Sequence, residues 1–305
     1  MRHLLCYLNG SFVTEDQARI HAGDLGLARG YAVFDYLRTY QGRPFYLKEH
    51  LLRLSYSAKE IDLSLPKTLD EIQEIIEFLL EKNSPGEFGI KIIITGGISP
   101  DQLLPAGSSS LIVLVYPFKP YPIELYTNGI KAVTTHLTRS MPKSKTLQYI
   151  PAIIALQKGR LENAMEALFL NSKKEILEAT TSNFFAFKNG CLVTVDSEEI
   201  LFGITREVVL NVARPHFDIR TVAVQYDEIG TLDEAFITSS NREILPVICI
   251  DKQMIGDGKV GPKTRFLMDQ FREYTVKADW PSLNIERYQF DFKEVPAESL
   301  LSDLL

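Results

Sequence analysis

The first part of the chain alternates apolar and polar residues with the period of two that is typical of β-strands. Leu5–Leu8 and residues 12–13 flank Asn9-Gly10, a dipeptide that supplies the positive φ angles of a tight hairpin. The same pattern predicts a second pair of strands at Ala32–Tyr40 and residues 44–47. The chain therefore begins with paired strands.

The pattern then changes to the 3.6-residue period of amphipathic helices. It predicts one helix over residues 48–61 and a second over 68–82, where Thr68 and Glu71 form a capping box before an apolar stripe. Two apolar strands are predicted next, at Phe88–Thr95 and residues 111–116.

Residues 117–122 contain three prolines, which fit neither the interior of a helix nor that of a central strand. We interpret residues 118–122 as a linker between a small N-terminal α+β domain, residues 1–117, and a larger domain, residues 123–305; a long internal loop is the alternative. Strands are predicted beyond it at 130–135, 167–170, 175–177, 183–187, 192–195, 234–238 and 247–250, and helices at 150–163, 207–213 and 261–274. The predicted fold class is α+β.

Composition narrows the possible functions. The 305 residues are 45% hydrophobic, and 33 basic against 39 acidic residues give a net charge of −6, so nucleic acid is not an expected partner. The three cysteines and five histidines show no ligand spacing, so we expect no metal site. The N-terminus becomes polar at Asn9, and no apolar run reaches the roughly 20 residues of a membrane span, so we expect a cytoplasmic protein without a membrane partner.

Two segments could bind an anion. Gly203-Ile204-Thr205 leads into a helix, where free N–H groups favour phosphate, and Thr205 could cap that helix. Hydroxyl side chains at 238–240 precede Asn241 at the end of a predicted strand. Neither signal is specific, because an ordinary helix start and an ordinary turn look the same.

Six segments in order, however, resemble the fold-type-IV pyridoxal-phosphate enzymes, which include branched-chain aminotransferases, D-amino-acid aminotransferases and aminodeoxychorismate lyases. These segments are residues 30–35, 50–54, 145–149, 177–185, 201–206 and 236–247. The resemblance implies a two-domain α+β fold, with a small N-terminal α/β domain and a larger C-terminal domain that has a β-barrel-like core. It also implies pyridoxal 5'-phosphate as the cofactor and a homodimer.

The resemblance assigns the central chemistry to two residues. Lys145 matches the lysine that holds the cofactor aldehyde as a Schiff base and then moves the substrate α-proton. Lys143 is its nearest competitor, and without the family both would be interpreted as part of a solvated basic loop. Glu178 matches the acid that pairs with the pyridine nitrogen and keeps the ring an electron sink.

The resemblance also implies the remaining cofactor contacts. Arg53 matches the arginine whose guanidinium donates two hydrogen bonds to the cofactor phosphate, and Leu201 matches the apolar residue packed on the ring face. The implied cofactor contacts are Arg53, Lys145, Tyr149, Glu178, Leu201, Gly203, Ile204, Thr205, Ser239 and Ser240.

Substrate recognition is where the sequence departs from the family. The loop after residue 95 lacks the Arg and His of D-amino-acid aminotransferases and carries Asp101, while Lys91 replaces the arginine of the branched-chain Tyr-x-Arg. Arg38 matches a second branched-chain arginine, with an outward strand residue as the alternative. The implied substrate contacts are Phe34, Arg38, Lys91, Thr181 and Asn241.

These residues together predict an aminotransferase that moves an amino group between an amino acid and a 2-oxo acid. A branched-chain or other apolar L-amino acid is the expected donor. The alternatives are an elimination of the aminodeoxychorismate lyase type, D-amino-acid transamination, and a protein that binds the cofactor without turnover.

Overall fold

The computed structural model describes residues 4–283 together with Ile285 and Tyr288, and the N-terminal part of this chain carries an antiparallel sheet. Its six strands pair in the order β2-β1-β6-β5-β3-β4. They are β1 (Leu5–Leu8), β2 (Ser11–Thr14), β3 (Ala32–Tyr40), β4 (Arg43–Pro44), β5 (Phe88–Thr95) and β6 (Ser110–Pro117).

Three helices accompany this sheet: α1 (Leu25–Arg29), α2 (Leu47–Lys59) and α3 (Leu69–Asn83). The capping box of α3 is confirmed, because the Thr68 hydroxyl and the Glu71 carboxylate each accept the other residue's backbone N–H. The strand predicted over 44–47 is wrong beyond Pro44, since Tyr46 has a left-handed φ of 54° and α2 begins at Leu47. The short α1 was not predicted.

Residues 118–122 are neither helix nor strand and are followed by α4 (Ile123–Asn128). One apolar core belongs to the N-terminal part, but Tyr40, Phe45 and Tyr46 from that part join the core of the second part. The division of the chain at 118–122 therefore stays our proposal, and residues 289–305 of the proposed second domain lie outside the described residues.

The second part of the chain contains a ten-stranded sheet that closes on itself. The strands are β7 (Ile130–Thr135), β8 (Glu166–Leu170), β9 (Glu175–Ala179), β10 (Asn183–Lys188), β11 (Cys191–Thr194), β12 (Ile219–Arg220), β13 (Val224–Gln225), β14 (Glu234–Ser239), β15 (Glu243–Ile250) and β16 (Gln253–Met254). Six of them form a ring in the order β10-β14-β15-β7-β8-β9. The ring is completed where Glu178 pairs with Asn183, which confirms the barrel-like core.

Three further helices, α5 (Ile150–Leu161), α6 (Ile204–Ala213) and α7 (Pro262–Thr275), complete the described chain. The loop before α5 lies against the N-terminal sheet, because the Phe34 backbone N–H donates to the Lys145 carbonyl over 2.9 Å and Val33 pairs with Thr146. Lys145 therefore lies beside β3. None of the helices in the described part of the chain is long and apolar enough to cross a membrane.

Candidate active site

A cavity of about 430 Å³ opens where the two sheets meet. Of the residues that the sequence analysis gave as cofactor or substrate contacts, all but Arg38 line this cavity. The predicted residues on its wall are Phe34, Arg53, Lys91, Lys145, Tyr149, Glu178, Thr181, Leu201, Gly203, Ile204, Thr205, Ser239, Ser240 and Asn241.

Lys145 lies on this wall with its amine 4.6 Å from the centre of the Phe34 ring. Burial lowers the pKa of Lys145 to about 7; the positive charge of Arg53 also lowers it, while the negative charges of Asp35 and Glu178 oppose the change. A large fraction of this amine is therefore neutral at neutral pH. Lys143 instead pairs with Glu198 at 2.5 Å and is not on the cavity wall.

Glu178 faces the same cavity from the end of β9. Burial raises the pKa of its carboxyl group, while the Arg139 guanidinium and the Leu201 backbone N–H oppose that rise. The Leu201 N–H donates to one carboxylate oxygen over 3.1 Å, and the Asn183 amide donates to the same oxygen over 3.3 Å. The carboxylate is therefore fixed in orientation by partners from two other segments.

Arg139 is a site residue that the sequence did not identify. Its Nη1 donates to Glu178 over 2.9 Å, and its Nη2 donates to the carbonyl of Ser144, next to Lys145, over 2.6 Å. One guanidinium thus ties the acid to the loop that carries the lysine. The available signal was its place in a basic loop six residues before Lys145, which is also how solvated charges appear in a sequence.

Arg53 reaches the cavity from α2 as part of a buried triad with Asp35 and His50. Its Nε and Nη2 donate to the two Asp35 oxygens, each over 2.8 Å, and the His50 Nδ1 lies 2.6 Å from one of them. Although burial would raise the pKa of Asp35, Arg53 and His50 hold it well below its usual range.

One edge of the Arg53 guanidinium is therefore already engaged by Asp35, while the two hydrogens on Nη1 and the second hydrogen on Nη2 remain for other partners. Nη1 lies 3.5 Å from the Phe202 carbonyl, and Tyr288 is a further hydrogen-bond partner of the guanidinium. Arg53 also lines the cavity, where its remaining donors can reach a ligand.

The wall next to Arg53, at the start of α6, can accept an anion. Gly203 caps α6, so Thr205 sits within the first turn and is not the cap, and a β-carbon at Gly203 would meet the Asn183 side chain at 2.2 Å. The first N–H groups of α6 have no partner inside the helix. In the same cavity, the Thr238 hydroxyl is buried without a hydrogen-bond partner among the described residues. These donors and Arg53 fit the phosphate of pyridoxal phosphate.

The remaining wall is aromatic with one positive charge. Lys91, on β5, has its amine 5.0 Å from the centre of the Phe34 ring and forms no ion pair or hydrogen bond within the described chain. Burial lowers its pKa. Tyr36 and Leu147 also line this part of the cavity and were not predicted. Tyr36 could have been inferred from period-two alternation, since it lies on the same face of β3 as Phe34.

Arg38 does not contact the cavity, so its predicted role in substrate binding is not supported by its position. Its Nη1 lies 3.2 Å from a carboxylate oxygen of Glu243, and its guanidinium lies 3.5 Å from the centre of the Phe118 ring. Phe34, Tyr36 and Arg38 lie on the same face of β3, but the cavity wall ends before Arg38.

The model of the family described as "Amino-transferase class IV" matches residues 32–250, which span every part of this cavity wall. The chain belongs to the class IV aminotransferases. It is accordingly an enzyme of the pyridoxal-phosphate-dependent aminotransferase type, and the resemblance drawn from the six segments is confirmed.

Curated relatives of this class IV aminotransferase carry names of two kinds. A Methanocaldococcus jannaschii protein provisionally named a branched-chain-amino-acid aminotransferase is 33% identical over 280 residues, 89% of this chain and 96% of its own. A Staphylococcus haemolyticus D-alanine aminotransferase is 31% identical over 276 residues, 88% of this chain and 96% of its own.

Solved structures give the same fold. The Escherichia coli branched-chain amino acid aminotransferase has a TM-score of 0.85 and 26% identity, and the match covers 92% of this chain and 98% of that one. The Thermoproteus uzoniensis branched-chain aminotransferase with norvaline has a TM-score of 0.83 and 27% identity, and the match covers 90% of this chain and 95% of that one. The predicted fold class is confirmed.

Proposed function

We propose that the cavity holds pyridoxal 5'-phosphate and that Lys145 is the residue that binds it covalently. The observation that carries this proposal is a buried lysine amine, with its pKa lowered to about 7, in one cavity with the carboxylate of Glu178. A neutral amine is the nucleophilic form of lysine, and a lysine in solution has very little of it at neutral pH.

When bound, pyridoxal phosphate supplies an aldehyde that condenses with amines and a ring that withdraws electrons. The residues of this chain hold and orient it. Glu178 would face the ring nitrogen, Leu201 would pack on the ring, and Tyr149 would lie near the ring hydroxyl. Arg53, the backbone N–H groups of Ile204 and Thr205, and the hydroxyls of Ser239 and Ser240 would bind the phosphate.

Lys145 would then serve as the proton carrier of the reaction. An amine with a pKa near 7 can take up a proton and return it at neutral pH, because neither form is strongly disfavoured. Arg139 supports this role, since it fixes the backbone next to Lys145 and also pairs with Glu178.

For the substrates we propose an amino acid and a 2-oxo acid, with an apolar L-amino acid such as a branched-chain one as the first choice. The support is the aromatic wall of Phe34 and Tyr36, with Lys91 as the cation that would bind a carboxylate. Thr181 and Asn241 would contact the substrate from the barrel side. D-amino acids are the competing class, because relatives of similar identity are named D-alanine aminotransferases.

A panel of amino donors of both hands, tested against 2-oxoglutarate and pyruvate, checks this proposal. We expect the visible absorption band of the bound cofactor to shift on adding L-leucine, with formation of the new amino acid. Faster turnover with D-alanine would replace the L assignment. Release of pyruvate from aminodeoxychorismate without an acceptor would favour a lyase, and a band that no amine shifts would favour a binding protein.

We further propose that the enzyme is a homodimer in the cytoplasm. Ile150, Ile153 and Ile154 support the dimer, because they leave an apolar stripe exposed on α5 directly after Tyr149. Light scattering of the purified protein tests this: a mass of one chain, 34.5 kDa, at micromolar concentration would refute the dimer.

A further inference from the structure

The turn between β14 and β15 supplies one side of the cavity. Ser239, Ser240 and Asn241 line the cavity, and Thr238 with its unpartnered hydroxyl precedes them in the described chain. The turn closes through a hydrogen bond of 3.1 Å from the Arg242 N–H to the Ser239 carbonyl. The Ser239 hydroxyl donates over 2.9 Å to the Asn241 side chain within the same turn, so the position of both side chains depends on what holds the turn.

The turn ends at a residue with an unusual backbone conformation. Glu243 has φ 58°, in the left-handed region that favours glycine and disfavours a residue with a β-carbon. Its carboxylate accepts a hydrogen bond of 3.0 Å from the Tyr40 hydroxyl and pairs at 3.2 Å with Arg38. A glutamate at a position suited to glycine is expected where its side chain is needed.

The partner of Glu243 belongs to the other sheet. Phe34, Tyr36 and Arg38 lie on one face of β3, since side chains alternate along a strand. The first two line the cavity and the third reaches Glu243. β3 therefore provides the aromatic wall of the cavity and also contacts the turn between β14 and β15 through Arg38.

A second ion pair holds the turn from the barrel. The Arg242 guanidinium pairs with the buried carboxylate of Glu166, and its Nη1 donates over 2.9 Å to Thr181 and over 3.2 Å to Ser182. Arg242 is thus attached to Glu166 of the barrel, and its neighbour Glu243 is attached to Arg38 of the N-terminal sheet.

We propose that Arg38 and Arg242 are positioning residues, which place the Ser239 and Ser240 hydroxyls for the cofactor phosphate through the Arg38–Glu243 and Arg242–Glu166 ion pairs. This inference rests on the proposed function. Arg38 thereby acts on the phosphate side of the site, although it touches neither cofactor nor substrate.

The test compares pyridoxal phosphate with pyridoxal, which lacks only the phosphate. The dissociation constant of each is measured by absorbance after removal of the bound cofactor. The constant for pyridoxal divided by the constant for pyridoxal phosphate reports the phosphate contacts alone. We expect Arg38→Gln, Glu243→Gly and Arg242→Gln each to lower this ratio by about tenfold, the size of a typical coupling between neighbouring groups. Glu243→Gly removes the side chain while relaxing the backbone, so it should not lower the melting temperature.

Two control variants accompany these three. Arg38→Lys should recover part of the ratio that Arg38→Gln loses, because a lysine supplies the charge for Glu243 but not the guanidinium stacked on Phe118. Lys188→Gln breaks an ion pair with Glu228 outside the cavity and should leave the ratio unchanged. Glu243→Gln replaces Glu243→Gly if the glycine variant does not fold.

The outcomes separate this inference from the function on which it rests. If pyridoxal phosphate and pyridoxal lose affinity by the same factor, Arg38 and Arg242 only support the fold and the inference is wrong. Unchanged affinity for both compounds in all three variants also overturns it. If the unmodified protein forms no covalent adduct with pyridoxal phosphate, the proposed function itself fails.

Discussion

The low pKa of Lys145 leads to a quantitative prediction about its reactivity. Burial brings that pKa from 10.5 to about 7. At pH 8 about 90% of such an amine is neutral, against about 0.3% for an ordinary lysine, a difference of about 300-fold in nucleophilic form. The cofactor-free protein should therefore react at Lys145 long before its surface lysines react.

Reductive methylation with formaldehyde measures this difference, because the reagent is small enough for the cavity and mass spectrometry resolves each lysine. The rate at Lys145 should rise with pH and reach half its maximum near pH 7. Lys143 is the internal control, since its ion pair with Glu198 raises its pKa and its rate should still be rising above pH 9.

The reasoning would be refuted if Lys145 reached its half-maximal rate near pH 10, as an exposed lysine does. Burial would then not set its protonation, and the cavity would be more hydrated than the packing around Phe34 indicates. The Glu178→Gln variant tests the direction in which Glu178 shifts the pKa of Lys145. Loss of that negative charge should move the midpoint to lower pH, because Glu178 raises the pKa of Lys145.

Three further predictions concern single residues. Lys145→Ala should abolish transamination and the visible cofactor band without changing the far-UV circular dichroism spectrum; a variant with residual turnover would disprove the assignment. Lys91→Ala should raise KM for the amino donor about tenfold or more with a smaller change in kcat, because a hydrogen bond to a charged group is lost; an unchanged KM would exclude Lys91 from the substrate site. Asp35→Ala should lower the free energy of unfolding by about 3–5 kcal/mol in urea titrations, since it leaves the buried Arg53 charge unpaired; a loss below about 1 kcal/mol would contradict that reasoning.

The order of short segments was enough to identify the chemistry. Lys145 and Glu178 were proposed because each lies in a segment whose neighbours match the family, and such a match can be recognised before the fold is known. Without it, the lysine was one of two in a basic loop. The physical reason is that solvated and buried charges have the same residue type, and only their surroundings distinguish them.

The role of a residue whose partner is distant in sequence could not be predicted from neighbouring residues. Arg139 and Glu178 are separated by 39 positions, and Arg38 and Glu243 by 205. The resemblance selected Arg38 with an outward strand residue as the alternative, and a match in sequence gives no information on where the cavity ends along β3. The same limit applies to Arg53. An arginine is a suitable residue type for binding phosphate, but the sequence gave no information that Asp35 engages one edge of its guanidinium.

The sequence by itself indicated most of the elements, the α+β class and the family, and it proposed the two central residues, because periodicity, capping and local motifs are properties of neighbouring residues. Tertiary structure decided how the barrel closes at Glu178, which arginines face the cavity, and how burial lowers the pKa of Lys145. Those properties arise from residues that meet only when the chain folds, and from the water that folding removes.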